Sequence, residues 1–396
     1  MVKSVISIIL VIVIMLTMAI SVFSQEPSYQ MELEAKSAVL MDANTGTVLY
    51  SKNMYESLPP ASVTKIMTLL LVFEAIEKGA LNYNDVLTVS EYASSMGGSQ
   101  VYLEPGENMT VDELLKCVLV ASANDAAVTL AEAISGSEEA FVSQMNKRAN
   151  ELGMKNTHFE NTTGLDDDAI SHLTSAYDIA IMSRELLKYK KVTEYSTIWM
   201  DTIRNGEFGL SNTNRLVRFY KGITGLKTGS TSKAGFCVSA SAKRENLHLI
   251  AVIMGAETSQ IRNNCATKLL DYGFANYEIF KSKKLNINEI KVLSGEKDIL
   301  EIKNEQVEIL IKKGNASRIE TEVQMDDFVR APIKSGDEVG KIIYRINGEN
   351  IGEESILASE NIYKISFFEF FEKILKNFFT KWKFIKKSVE FLYTLL

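Results

Sequence analysis

The chain opens with an apolar run. Residues 5–23 carry no charge and only three polar side chains, Ser7, Thr17 and Ser21, with Lys3 just ahead of them. A basic start, an apolar stretch and small residues at Val22 and Ser24 before Gln25 describe an export signal over residues 1–24. The run is also long enough to span a bilayer uncleaved. A cleaved signal and a retained anchor therefore both fit, and either places the protein outside the cytoplasm.

Past this segment the pattern becomes globular. Residues 37–49 read as strand, turn (Asp42-Ala43-Asn44-Thr45-Gly46) and strand, which predicts an opening hairpin. Residues 63–76 predict a strongly apolar helix, and residues 111–134 one or two more. Residues 234–241 and 247–254 predict adjacent strands joined at Lys243-Arg244-Glu245-Asn246. Near residue 280 the texture changes to short alternating stretches at 307–311, 318–323 and 339–346, separated by turns such as Lys313-Gly314-Asn315 and Asn347-Gly348-Glu349. That pattern predicts a larger domain of mixed strands and helices over residues 25–280 and a small all-β domain over 281–363.

The last stretch, residues 364–396, has a helical period. Phe367, Phe371, Ile374, Phe378, Trp382, Ile385, Val389 and Leu392 recur every three or four residues, and Lys373, Lys376, Lys383 and Lys387 repeat on another face. Bulky aromatics opposite lysines suit a helix lying in a membrane interface with its lysines toward anionic headgroups. A terminal helix docked on the protein's own core has the same period.

Composition narrows the function. Apolar residues make up 46% and charged residues 23% of the 396, an ordinary globular balance, and the length suits two domains. The net charge of −7 argues against nucleic-acid binding. Residues 25–364 hold 36 basic against 47 acidic side chains, so the body between the two ends is net −11. Three cysteines, Cys117, Cys237 and Cys265, are too few for a disulfide framework. Three histidines without a His-Glu-x-x-His pattern make a zinc peptidase a poor fit.

The candidate chemistry begins at Ser62-Val63-Thr64-Lys65, after Pro59-Pro60-Ala61. Prolines resist helix upstream and serine suits a helix start. The i, i+3 spacing stacks the Ser62 hydroxyl and the Lys65 amine on one face. A serine hydroxyl needs a base, and a lysine serves if burial and a neighbouring cation favour its neutral form. Alone the four-residue pattern says little, since it recurs from Ser230 to Lys233 and from Ser294 to Lys297. Ser122-Ala123-Asn124 interrupts an apolar stretch, so its polar groups either bond structurally or line a cleft. Lys227-Thr228-Gly229 precedes the strand from Ala234 and supplies a cation, a hydroxyl and a place for close backbone approach.

Taken in order, Ser62-x-x-Lys65, Ser122-x-Asn124 and Lys227-Thr228-Gly229 resemble the penicillin-recognising serine D,D-peptidases. Gly97-Gly98-Ser99-Gln100, Asn161-Thr162-Thr163-Gly164-Leu165, Ala234-Gly235-Phe236 and the stretch from Ala331-Pro332 to Gly340 are similar to the low-molecular-mass D-alanyl-D-alanine carboxypeptidases. The similarity runs over roughly residues 33–360. It implies an α/β (α+β) serine D,D-peptidase/β-lactamase-like domain with an antiparallel sheet and a helical cluster, then the small all-β domain and an amphipathic C-terminal helix.

The same resemblance implies roles, in a mechanism that needs no metal or organic cofactor. Ser62 would attack the carbonyl between the last two D-alanines of a peptidoglycan stem peptide, with Lys65 as its base and Ser122 passing a proton toward the leaving amine. Asn124 would hold the substrate amide, Lys227 and Thr228 would meet the terminal carboxylate, and Gly229 would let the substrate lie close. The backbone amides of Ser62 and Ser230 would form the oxyanion hole. β-Lactams would acylate Ser62, and the enzyme would work at the outer face of the bacterial membrane, held peripherally by its C-terminal helix. A D,D-endopeptidase or transpeptidase acting on crosslinks shares this machinery. A class A β-lactamase would need a Glu-x-x-x-Asn element, and Glu151 and Glu160 stand in other contexts. A silent penicillin-binding module would need a missing catalytic side chain.

Overall fold

The computed structural model describes residues 31–165, 169–284, 288–376, 378–379 and 382–383. The predicted export segment lies outside them.

The opening hairpin forms as β1 (Ser37–Asp42) and β2 (Val48–Lys52). Its turn is closed by Asp42, whose Oδ2 accepts the Thr45 amide at 2.8 Å and the Thr45 hydroxyl at 2.7 Å. Three strands from far along the chain complete the sheet: β3 (Ile223–Thr231), β4 (Gly235–Arg244) and β5 (Leu247–Ala256). The order is β2-β1-β5-β4-β3, and every neighbouring pair is antiparallel. β4 outruns its predicted end because Lys243 and Arg244 continue the pairing, opposite His248 and Leu247.

All six residues of β1 are buried, since both faces of the sheet are covered. Four helices matter here: α1 (Lys65–Glu77), α2 (Asn124–Ser135), α3 (Ala176–Leu186) and α4 (Ser259–Asn276). A β-carbon on Gly273 of α4 would lie 2.4 Å from Leu249 Cδ1 and 3.0 Å from Leu40 Cδ2. Glycine thus lets α4 rest directly on one face. Val39, Met41 and Val252, alternate residues facing the other way, share an apolar cluster with Ile179 and Met182 of α3 and with most of α1. Lys65 through Phe73 of α1 are all buried, as a helix apolar on every side must be.

Two local features add to the sequence reading, and both shape the site. A 3-10 turn, Ala61–Thr64, precedes α1, and its N-cap position is Pro60 with no side-chain cap bond. Ser62 therefore sits inside a tight turn, with its hydroxyl free of any capping role there. The stretch over 111–134 is two helices, Val111–Lys116 and α2, joined by a wider π turn, Cys117–Ala121. That turn ends at Ser122 in the left-handed region, φ +66°, a conformation serine adopts only where surrounding packing imposes it.

From the end of α4 to Ala358 the regular structure is mostly strand. β6 (Tyr277–Lys281), β7 (Glu289–Leu293), β8 (Ile299–Asn304), β9 (Glu308–Lys312), β10 (Glu320–Met325), β11 (Phe328–Arg330), β12 (Glu338–Ile346) and β13 (Glu349–Ala358) follow in order. Six form a sheet, β10-β12-β13-β8-β7-β11, antiparallel except for β7 with β11, while β6 pairs with β9. Ile290, Leu300, Ile302, Ile342 and Ile356 form their core. β10 begins later than the pattern predicts because Ala316–Arg318 make a 3-10 turn. Residues 367–376 are helical, with Phe367, Phe368 and Phe371 exposed. Among the described residues no helix is long and apolar enough to cross a membrane.

Candidate active site

The tight turn before α1 delivers the serine, and the first residue of α1 delivers the amine. Lys65 is fully buried, and its Nζ lies 3.0 Å from Ser62 Oγ, 2.5 Å from Asn124 Oδ1 and 2.8 Å from the Thr163 carbonyl oxygen. Burial holds the Lys65 pKa well below the usual lysine range, the nearby Lys227 charge pushes it lower still, and Asp125 opposes both. The bonding count fits the neutral form. A neutral amine has two N–H bonds, which Asn124 and Thr163 accept, and one lone pair, which remains for the Ser62 hydroxyl proton.

The turn that presents Ser62 is braced from below. His172 Nδ1 accepts the Glu160 amide at 3.0 Å, which assigns the ring proton to Nε2. Nε2 then donates to Thr64 Oγ1 at 2.8 Å, and Thr64 donates to the Ala61 carbonyl at 2.9 Å. Gly164 passes so near that a β-carbon on it would lie 1.9 Å from the Ala61 oxygen. With φ +82° it can only be glycine.

Asn124 opens α2 and is held at several points. Its amide donates to the Ser99 carbonyl at 2.7 Å and its Nδ2 to the Gly97 carbonyl at 2.6 Å. The buried Asp125 carboxylate accepts the amides of Val101 at 3.0 Å and Leu103 at 3.1 Å. Arg204 closes the same loop from outside by donating to the Val101 and Tyr102 carbonyls and pairing with Glu107. Together these bonds hold residues 97–103 as one wall of the site.

β3 supplies the opposite wall. A β-carbon on Gly229 would meet Ser62 N at 2.8 Å and Pro60 O at 2.9 Å, so only glycine allows β3 to lie against the serine turn. Ser62, Ser122, Thr228, Gly229, Ser230 and Arg262 line one cavity of about 760 Å³, and no carboxylate is among the described residues lining it. Three sequence segments that lie far apart thus meet around one space, and every residue singled out from the sequence stands in or beside it.

Lys227 is the one placed differently from expectation. Its side chain is buried, and Nζ donates to the Thr228 carbonyl at 2.9 Å rather than lining the cavity. Burial and the charge of Arg262 lower its pKa to about 7. One cation that does face the cavity, beside Thr228 and Gly229 in its lining, is Arg262, on the first turn of α4, with its own pKa lowered to about 10 by burial. The sequence reading missed Arg262, because nothing local marks one arginine of a helix as facing a site in another segment. It also missed Thr163, which acts through its backbone carbonyl. The polar run Asn161-Thr162-Thr163-Gly164 was a usable signal, since Asn161 Oδ1 organises that turn by accepting the Gly164 amide at 2.7 Å.

The chain is similar to known proteins over most of its length. The family described as D-alanyl-D-alanine carboxypeptidase (peptidase S11) matches residues 22–258, and that described as penicillin-binding protein 5, C-terminal domain, matches residues 274–364. The D-alanyl-D-alanine carboxypeptidase DacF of Bacillus subtilis is 45% identical over 391 residues, covering 96% of this chain and all of that protein. The crystal structure of penicillin-binding protein 5 from Haemophilus influenzae superimposes with a TM-score of 0.74 at 32% identity, over 84% of this chain and 99% of that one. Penicillin-binding protein D2 from Listeria monocytogenes, in its ampicillin-bound form, gives a TM-score of 0.55 at 31% identity over 62% of this chain and 98% of its own.

Proposed function

This chain belongs to the peptidase S11 family of D-alanyl-D-alanine carboxypeptidases, and we propose that it removes the terminal D-alanine of peptidoglycan stem peptides through an acyl-enzyme on Ser62. The observation that carries the mechanism is the buried Lys65 amine, 3.0 Å from Ser62 Oγ and with its other bonds taken by Asn124 and Thr163. Lys65 takes the Ser62 proton as Oγ attacks the carbonyl carbon. The amides of Ser62 and Ser230 receive the oxyanion, with Gly229 keeping the two segments in close apposition. Ser122, on the cavity wall, passes the proton to the leaving nitrogen, and Asn124 steadies the substrate amide. Lys65 then activates the water that splits the ester.

The terminal carboxylate is met by the Thr228 hydroxyl and the Arg262 guanidinium, which both face the cavity. Lys227 acts from beneath, by its charge on Lys65. A β-lactam brings a strained amide and a carboxylate to the same two places, so it acylates Ser62. The ampicillin-bound relative supports that step. A class A β-lactamase reading finds no support here, because Glu160 spends its carboxylate on the amides of Ile170 and Ser171.

The rest of the chain fits a wall enzyme working at a membrane surface. Residues 25–280 carry the chemistry, residues 281–363 form the β-rich part, and residues 364–396 lie in the membrane interface through their aromatic face. Exposure of Phe367, Phe371, Ile374, Phe378 and Trp382 supports that placement over docking on the protein's own core. The predicted export signal, residues 1–24, accounts for delivery.

The test is release of free D-alanine from a diacyl-tripeptide ending Lys-D-Ala-D-Ala, with the Ser62→Ala protein beside it. Release that disappears in the variant is the expected result. A folded wild-type protein that releases none, yet opens crosslinked muropeptides, would replace the carboxypeptidase reading with an endopeptidase one.

A further inference from the structure

Three arginines, Arg215, Arg218 and Arg262, line the Ser62 cavity, more positive charge than the single carboxylate of a leaving D-alanine calls for. Beyond Thr228 its wall is built by residues 211–219. Thr228 Oγ1 donates to Thr213 Oγ1 at 2.8 Å, the Thr213 amide to the Val120 carbonyl at 3.1 Å, and Asn214 Nδ2 to the Gly225 carbonyl at 3.3 Å. Arg215, Arg218, Phe219 and Trp199 face the cavity from this wall. The Arg218 guanidinium lies 5.6 Å from the Trp199 ring centre and 5.5 Å from that of Phe219, which hold it between two rings. Arg215 stands close enough to Arg262 for the two charges to repel.

Neither Arg215 nor Arg218 has an ion-pair partner among the described residues, in a chain with 50 acidic side chains. Like charges gathered round an open space with no carboxylate among its described lining residues favour an incoming anion. The terminal carboxylate of the leaving residue accounts for Arg262 with Thr228, and two guanidiniums remain.

Their position gives them a role. With the scissile carbonyl between the Ser62 and Ser230 amides and the terminal carboxylate at Thr228, the part of the wall next to the leaving residue is Thr213, bonded to Thr228, followed by Arg215. We propose that the Trp199, Arg215, Arg218 and Phe219 wall is a leaving-group subsite for a second carboxylate, so that a D-amino residue carrying one is released in preference to its neutral isostere. This rests on the carboxypeptidase reading above. The chemistry is unchanged: the Ser62 Oγ–carbon bond forms, the carbon–nitrogen bond breaks, the leaving nitrogen takes the proton, and water then splits the ester. The second carboxylate belongs either to a dicarboxylic D-amino acid or to a neighbouring stem joined through its amine.

Three tripeptides, diacyl-Lys-D-Ala followed by D-Ala, D-Glu or D-Gln, test this with the full-length protein. The wild type is expected to release D-Glu over D-Gln by about fivefold in kcat/KM, the scale of an exposed charge pair, and the preference should shrink as salt is raised. In Arg218→Gln and in Arg215→Gln the ratio is expected to fall toward one. Because the ratio is taken within each protein, loss of overall activity in a variant does not imitate the effect. Arg218→Lys, which keeps the charge, should retain part of the preference. A crosslinked dimer identifies the source: cleavage sensitive to Arg218→Gln assigns the carboxylate to a neighbouring stem, and insensitivity assigns it to a single residue. Equal release of D-Glu and D-Gln by a wild type that releases D-Ala overturns the subsite alone. No release from any of the three overturns the carboxypeptidase reading instead.

Discussion

Gly229 lies so close to Ser62 that a β-carbon on it would stand 2.8 Å from the Ser62 amide nitrogen. The contact is between two backbones, so neither can swing aside as a side chain would. In Gly229→Ala one of them has to move, and with it the pair of amides assigned to the oxyanion. Losing one well-placed donor costs about a hundredfold or more in rate. Penicillin acylation measured by stopped-flow is expected to slow by that order while the protein still melts cooperatively. Acylation at the wild-type rate would mean that the strand does not supply the oxyanion hole.

Lys227 governs Lys65 through charge. A base whose pKa is depressed in the folded protein is neutral above that pKa and is lost as pH falls through it. Removing the Lys227 charge relieves one of the causes of depression, so the Lys65 pKa rises. In Lys227→Gln the acid limb of kcat/KM is therefore expected to move to higher pH, which a pH–rate profile reads directly. A limb that stays in place removes Lys227 from this role. Stability carries a related signature. Lys227 sits at about 7 in the fold against 10.5 when unfolded, so the unfolded chain binds the extra proton between these values. The group's contribution to stability grows as pH rises through that window.

Asn124 serves two neighbours at once, accepting from Lys65 through Oδ1 and donating to the Gly97 carbonyl through Nδ2. Asn124→Ala leaves a buried amine short of an acceptor and releases the wall at residues 97–103. A loss of about 1–3 kcal/mol in thermal or denaturant stability is expected, the scale of an unsatisfied buried polar group. Acylation should slow as well. Unchanged stability would show that water replaces the side chain at no cost.

Gly164→Ala tests the brace beneath Ser62. Its β-carbon would collide with the Ala61 carbonyl, and its φ of +82° is unfavourable for alanine. Both effects strain the turn that presents the serine. The expected outcome is a lower melting temperature together with slower acylation. Loss of stability with an unaltered acylation rate would separate the brace from the chemistry.

The C-terminal helix makes its own prediction. Phe367 and Phe371 are exposed in the described part of the helix. Burying a phenylalanine side chain is worth about 1.5–3 kcal/mol. Replacing both with serine is expected to weaken binding to anionic vesicles by at least about a hundredfold, without altering D-alanine release from a soluble tripeptide. Vesicle sedimentation checks the first part, and full retention on vesicles would send the aromatic face elsewhere.

Much of this was legible in the chain. The opening hairpin, the apolar helix after Ser62 and the adjacent strands from Ala234 follow from hydrophobic period and turn residues, which act over a few positions. The residue types of the site were legible for the same reason, since Ser62 and Lys65 are separated by one helical turn. Arg262 and Thr163 were not. One is an arginine in a helix with several polar neighbours, and the other contributes an atom that every residue has.

The sequence by itself determined which side chains could do the chemistry, the order of the segments that carry them, and the amphipathic period at the C-terminal end. Tertiary structure decided which groups meet. It turned Lys227 inward and Arg262 toward the cavity, gave Lys65 a backbone carbonyl nearly a hundred residues away as a partner, and made Gly229 and Gly164 irreplaceable. The physical reason is range. Hydrophobic period and turn propensity are local and can be read along the chain, whereas desolvation, close backbone approach and the sum of charges around a cavity depend on residues that only folding brings together.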